Sequence, residues 1–245
     1  MAGGKQTPRQ KMINLMYLVF IAMLALNMSK EVLAAFGTMN ERFTSENAKT
    51  IESNEAFLAS LAVKKEEDPA KFEALYAKAE EIKKLSQEYY DYIEGIKKEM
   101  TVDVEDPKDY QVMDKADYLD TKFFEGDGYR PEGQEFVDRV NNYRDAVLAV
   151  IDGEKMTDAE AAIKGRFNTE AELNRDDISV DWLDYNYKGF PLIASLTKLT
   201  QLQSDIQATE QDILQGMLQG NYQAALALNT YSTLLQPSKT AFYAG

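Results

Sequence analysis

The residues best suited to chemistry at neutral pH are missing: among 245 residues there is no histidine and no cysteine. Ser-His-Asp and Cys-His nucleophile systems are therefore impossible within the chain, and the commonest general base and metal ligand go with them. Thiolate zinc sites, disulfides and cysteine-linked lipids are excluded on the same ground. Carboxylates and lysines remain. Acidic residues gather at Asp103, Glu105, Asp106 and Asp109, and again from Glu125 to Glu135. A calcium loop needs oxygen ligands at alternate positions, a fixed glycine and a closing glutamate, and neither cluster has that pattern. Both read as solvated loops. A di-iron bundle would require Glu-x-x-His pairs, which this chain cannot supply. The expectation is no catalytic residue, no cofactor and no metal.

Polar groups in and beside an apolar segment carry more information. The run from Met12 to Met28 is interrupted only by Asn14, Tyr17 and Asn27. As a helix it would span about 26 Å, slightly short of a hydrocarbon core of about 30 Å. Thr7 is the predicted N-cap and Pro8 the first helical residue, so the helix starts before the apolar run. Arg9 and Lys11 can then snorkel to the interface. Tyr17 lies about two turns beyond Arg9, near the same face. For Arg9 two readings stand: an interfacial anchor, or an ion pair with a carboxylate on a partner's membrane helix.

Lys5, Arg9 and Lys11 give residues 1–29 a charge of +3 with no acid among them; with −14 overall, the remainder carries −17. Positive charge on the near side places the N-terminus in the cytoplasm and the body across the membrane. So acidic a body repels nucleic acid, and no nucleic-acid partner is expected. The competing reading is a cleaved signal peptide. Against it, the apolar run is long for such a peptide, no small-residue cleavage pattern closes it, and helical periodicity continues beyond. Val32, Phe36, Met39 and Phe43 recur at spacings of four, three and four, the pattern of a coiled-coil seam at the membrane exit.

These residues need elements to hold them. The first helix is expected to run on to about Leu61, with Ile51, Phe57, Leu58 and Leu61 on its later apolar face. Asp68-Pro69 opens a second helix, whose apolar positions repeat every three or four residues from Phe72 to Met100. Residues 101–131 lose that period and read as a long loop. Pro131 begins a third helix that Gly153 closes, and Thr157-Asp-Ala-Glu160 is a capping box for a short fourth. The alternation from Ile178 to Trp182 is too brief to decide between strand and loop. Trp182, Tyr185, Tyr187 and Phe190 are read as a plug at the end of the bundle rather than a binding surface. Pro191 starts a long helix to Leu218, and Gly216-x-x-x-Gly220 is read as its termination, Gly220-Asn221 turning into a last helix before Pro237.

The predicted fold is all-α: a single N-terminal transmembrane helix continuing into an antiparallel helical bundle. Its divisions are a cytoplasmic stub (1–11), the membrane helix (12–28), a periplasmic helical domain (29–236) and the start of a following domain or linker (237–245).

The opening GGKQTPRQKMINLMYLVFIAMLALNMSKEVLAAF resembles the start of the GldM/PorM family of gliding-motility and type IX secretion proteins. The segment from Gly189-Phe190-Pro191 through Leu196, Leu199, Leu202, Asp205 and Glu210 is similar to that family too. The resemblance implies a homodimer in the inner membrane, its helices ringed by a small polytopic partner of the GldL/PorL type. The pair would use the proton-motive force to move a periplasmic stalk that reaches outer-membrane secretion components. Arg9 matches the family arginine expected to pair with a partner glutamate. Consistent with that division, no Asp or Glu precedes Glu31, so a proton-carrying carboxylate would have to be the partner's. The rivals are a membrane-anchored sensor or ligand-binding module and a secreted helical binding protein.

Overall fold

The computed structural model describes residues 7–26, 30–115, 117–126, 128–154 and 156–234, with side chains omitted at 22–26, 117 and 219–234. Helix α1 covers Pro8–Leu26, and the Thr7 hydroxyl accepts from the Gln10 backbone N–H at 3.3 Å, as its capping role requires. Among the described residues, no helix is long and apolar enough to cross a membrane. The end of the expected span, residues 27–28, lies outside those described, as do residues 1–6 and 237–245. The passage from α1 into the next helix therefore falls outside the described residues as well.

Helix α2 is Lys30–Glu67, and α3 (Pro69–Met100) folds back along it after the single residue Asp68. Proline fits the first turn because its missing N–H would be unsatisfied there anyway. The apolar period read for α3 is its buried stripe: Ala79, Ile82, Tyr89, Ile93, Ile96 and Met100 are all core. The expected loop 101–131 is more structured than its composition suggested. It holds a 3₁₀ turn (Tyr110–Val112), α4 (Asp117–Phe123) and a minimal hairpin of β1 (Phe124–Glu125) and β2 (Gly128–Tyr129).

Helix α5 is Pro131–Val150, with Phe136, Val140, Tyr143 and Val147 inward. Gly133 packs so tightly against the Phe123 carbonyl that no side chain would fit. Helix α6 is Thr157–Arg166, but the capping box does not form. Met156 occupies the cap position without a side-chain bond, so Thr157 is already helical. The undecided stretch 178–182 contains a strand: β3 (Glu172–Leu173) pairs antiparallel with β4 (Ser179–Val180), and the turn between them puts Asp177 at φ 58°.

Helix α7 (Trp182–Tyr187) delivers the expected plug. Trp182 stacks on Phe136 at 6.2 Å between centroids, and Tyr187 meets the same ring edge-on at 5.4 Å; Tyr185 faces outward. Helix α8 then runs without a break from Leu192 to Leu234. This corrects the expected turn at Gly220-Asn221. Gly216 does not end the helix; it makes room for Met156, whose Sδ would lie 3.2 Å from a Cβ there.

The expected antiparallel arrangement holds for α3 against α2, α5 and α8 and for α6 against α8, but not for the α2–α8 pair. Hydrogen bonds join Phe36 to Thr197, Asn47 to Thr200 and Asn54 to Gln207, so α2 and α8 ascend together. Helix α3 descends and α5 ascends against it (Tyr92 on Phe136, Tyr89 on Tyr143), and α6 descends along α8. The chain thus reverses four times, into α3, α5, α6 and α8, and α8 returns to the direction of α2. The central pair of the bundle is parallel.

A parallel polar seam as candidate functional site

The residues singled out in advance lie on α1 and on the outer side of α2. Arg9 and Tyr17 are exposed on α1, and Arg9 makes no ion pair among the described residues. Val32 and Met39 are 43% and 48% exposed, while Phe36 and Phe43 are half-buried. The face that α2 turns to its own bundle is the neighbouring one, carrying Leu33, Gly37, Asn47, Asn54 and Leu61. Of the expected apolar seam, Phe36 packs against the bundle's own core, while Val32 and Met39 stay exposed.

That inner face has a pattern the apolar reading missed. Leu33, Asn40, Asn47, Asn54 and Leu61 are seven residues apart, the repeat that keeps one stripe in register with a partner helix. Opposite stands a stripe of α8 with Thr197, Thr200, Ser204 and Gln207. Asn47 Nδ2 donates to the Thr200 carbonyl at 3.2 Å, and its Oδ1 accepts from Ser204 at 2.6 Å. Asn54 donates to the Gln207 carbonyl at 3.1 Å, and Thr200 donates to Asn40 Oδ1 at 2.7 Å. Thr197 shares its proton between its own helix and the Phe36 carbonyl, 3.1 Å away. Buried amides without such partners would each cost about 1–3 kcal/mol, so one alignment of the two helices is selected over others. Leucines close the seam at either end, Leu33 and Leu61 both buried.

Two further ties hold the start of α2. The Tyr110 ring lies flat against Gly37, leaving no space for a Cβ, and its hydroxyl donates to Glu41 at 2.6 Å. The Ile193 N–H donates to the Met113 carbonyl at 3.3 Å, which pins the start of α8 to the same strap. On the α3 side, Gln203 of α8 is buried and accepts from Lys97 at 2.7 Å. Burial holds the Lys97 ammonium below its usual range, against the pull of Glu94.

Two carboxylates of α8 sit beside the seam. Glu210 is 5% exposed, and burial pushes it up to about 7; Lys83 of α3 opposes that shift and Glu55 of α2 adds to it. Burial likewise lifts Asp205 to about 6 against the opposing charge of Arg166. Glu210 is thus divided between its two protonation states near neutral pH. Among the described residues no set of acidic groups is placed to hold a metal ion.

The arrangement suits mechanical connection rather than covalent chemistry: a long helix is bonded at successive turns to a second parallel helix. A search of curated proteins returned no match. A sequence model described as the GldM N-terminal domain matches residues 31–220, which covers α2 through most of α8. Members of this family are structural components of secretion and motility rather than classical enzymes. The chain therefore belongs to the GldM family and serves gliding motility and type IX secretion, with residues 31–220 forming its N-terminal domain.

Proposed function

We propose that this protein is an inner-membrane motor subunit that turns proton-motive force into movement of a periplasmic stalk. Residues 12–28 cross the membrane, the N-terminus is cytoplasmic, and the body lies in the periplasm. Two copies associate through Val32, Phe36, Met39 and Phe43, inside a ring of a small polytopic partner that contributes the membrane glutamate. Arg9, with Tyr17 about two turns further along the same helix, faces that glutamate. The cation lowers the carboxylate's pKa when close and releases it when apart. Outer-membrane secretion components take up the resulting motion.

The observation that carries this reading is α2. It begins within four residues of the end of α1 and continues unbroken for 38 residues, bonded to α8 from Phe36 to Asn54. A membrane event would be transmitted by such a helix rather than dissipated in a hinge. The acid-free stretch before Glu31 supports assigning the proton-carrying group to the partner. The test is Arg9→Gln in the full-length protein, with secretion and gliding measured at unchanged protein level. Loss of both is expected, and normal activity would refute the assignment. Phe36→Pro should uncouple the membrane event from the body, since proline breaks a helix interior at a cost of about 3 kcal/mol or more. Continued secretion by that variant would sink the rigid-shaft account.

A further inference from the structure

The acidic cluster read as a solvated loop borders an open groove on the bundle. The groove holds about 950 Å³ between the end of α3, the strap 102–112, α4 and the first residue of α8. Its apolar lining includes Val102 and Val112, which are 77% and 57% exposed, beside Val104, Met100 and Leu192. Exposed aliphatics lining a concavity mark surfaces that partners cover.

Charge narrows the occupant. Of the groove's ionic groups, Glu99 and Lys122 neutralise each other, with Tyr118 also donating to Glu99. That leaves Asp103, Glu105, Asp106 and Asp109 against Lys115, and among the described residues none of the four carboxylates makes an ion pair. Asp106 and Asp109 accept from backbone N–H groups of Lys108 and Gln111, so the strap is held in shape without cancelling their charge. A phosphate-bearing lipid or nucleic acid would be repelled. A second copy of the body carries the same negative excess. No metal-holding set exists among these residues.

We propose that this groove docks an extended segment of another protein that presents an aliphatic side chain flanked by lysine or arginine. The aliphatic group covers Val102 and Val112, and the cations meet the carboxylate rim. The strap also bears on α2, through Tyr110 against Gly37, so an occupant there would sit on the foot of the coupling helix. The proposal stands apart from the proton-driven reading and can fail without it.

The test uses the full-length protein in detergent and a fluorescent seven-residue peptide of alternating lysine and valine, followed by anisotropy. Binding should weaken at least tenfold in Asp103→Lys with Glu105→Lys, and at least fivefold in Val102→Ser with Val112→Ser. These side chains are exposed, so an unchanged circular dichroism spectrum will confirm folding. Peptides of glutamate with valine, or lysine with serine, should bind at least tenfold more weakly. Equal binding by the charge-reversed variant, or by the lysine–serine peptide, would overturn the proposal.

Discussion

Replacing Glu210 by glutamine should make the protein more stable, and more so as pH rises. Glu210 ordinarily ionises near 4.5, but burial among α2, α3 and α8 raises it to about 7. Because the folded value is raised, folding favours the protonated form. That contribution is fully present below about 4.5 and is lost as pH climbs from there to about 7. A shift of this size corresponds to roughly 3 kcal/mol of linked stability. The groups facing the carboxylate are Lys83 from α3, which favours ionisation, and Glu55 from α2, which opposes it; Tyr143 of α5 lies within electrostatic reach. A glutamine side chain would keep the shape without the charge. At pH 8 the variant should melt higher than the parent by roughly 6–12 °C, taking about 2–4 °C per kcal/mol for a domain of this size. At pH 4.5 the two should melt nearly together. Thermal unfolding in detergent followed by circular dichroism, at half-unit steps from pH 4.5 to 8, supplies the curve. A variant less stable than the parent at pH 8, or one with a pH-independent difference, would refute the reasoning.

Other perturbations have equally definite outcomes. Asn47→Ala should cost about 1–2 kcal/mol in urea unfolding, because both bonds tying α2 to α8 there are lost and Ser204 keeps only the longer bond to the Thr200 carbonyl of its own helix. Asn47→Leu combined with Asn54→Leu should hold or raise the melting temperature yet loosen the alignment of α2 on α8. Spin labels at exposed sites on the two helices would read that as a broadened distance distribution, and a single sharp distance would contradict it. Gly37→Ala should destabilise by about 1–3 kcal/mol through collision with the Tyr110 ring, despite alanine's better helix propensity. Adding Tyr110→Ala to that variant should recover part of the loss.

Much of the helical skeleton was legible because its signals are local. The stripe from Phe72 to Met100, the prolines opening α3 and α5, and Thr7 as a cap depend on neighbours within a turn. What escaped depends on distant contacts. Asparagines at 40, 47 and 54 look like solvated positions until α8 arrives alongside them, more than 150 residues later. The 3₁₀ turn is held by Tyr110 reaching Glu41 across 69 residues, a contact with no trace in local composition. Gly216 followed by Gly220 imitates a helix end, yet Gly216 serves close packing against Met156. The parallel sense of α2 and α8 was hidden for the same reason: the chain must reverse an even number of times before it shows.

The parallel pair also decides how the domain would meet a load. Parallel helices tied side by side place the lower end of one and the upper end of the other at opposite poles. Helix α2 begins beside the start of α8, and α8, about 64 Å long, reaches past the top of α2, about 57 Å long. A pull between the foot of α2 and the head of α8 therefore runs along the seam. Its rungs at Phe36, Asn40, Asn47 and Asn54 would bear that pull together, as stitches do in a lap joint. An antiparallel pair pulled from neighbouring ends would instead open like a zipper, one rung after another.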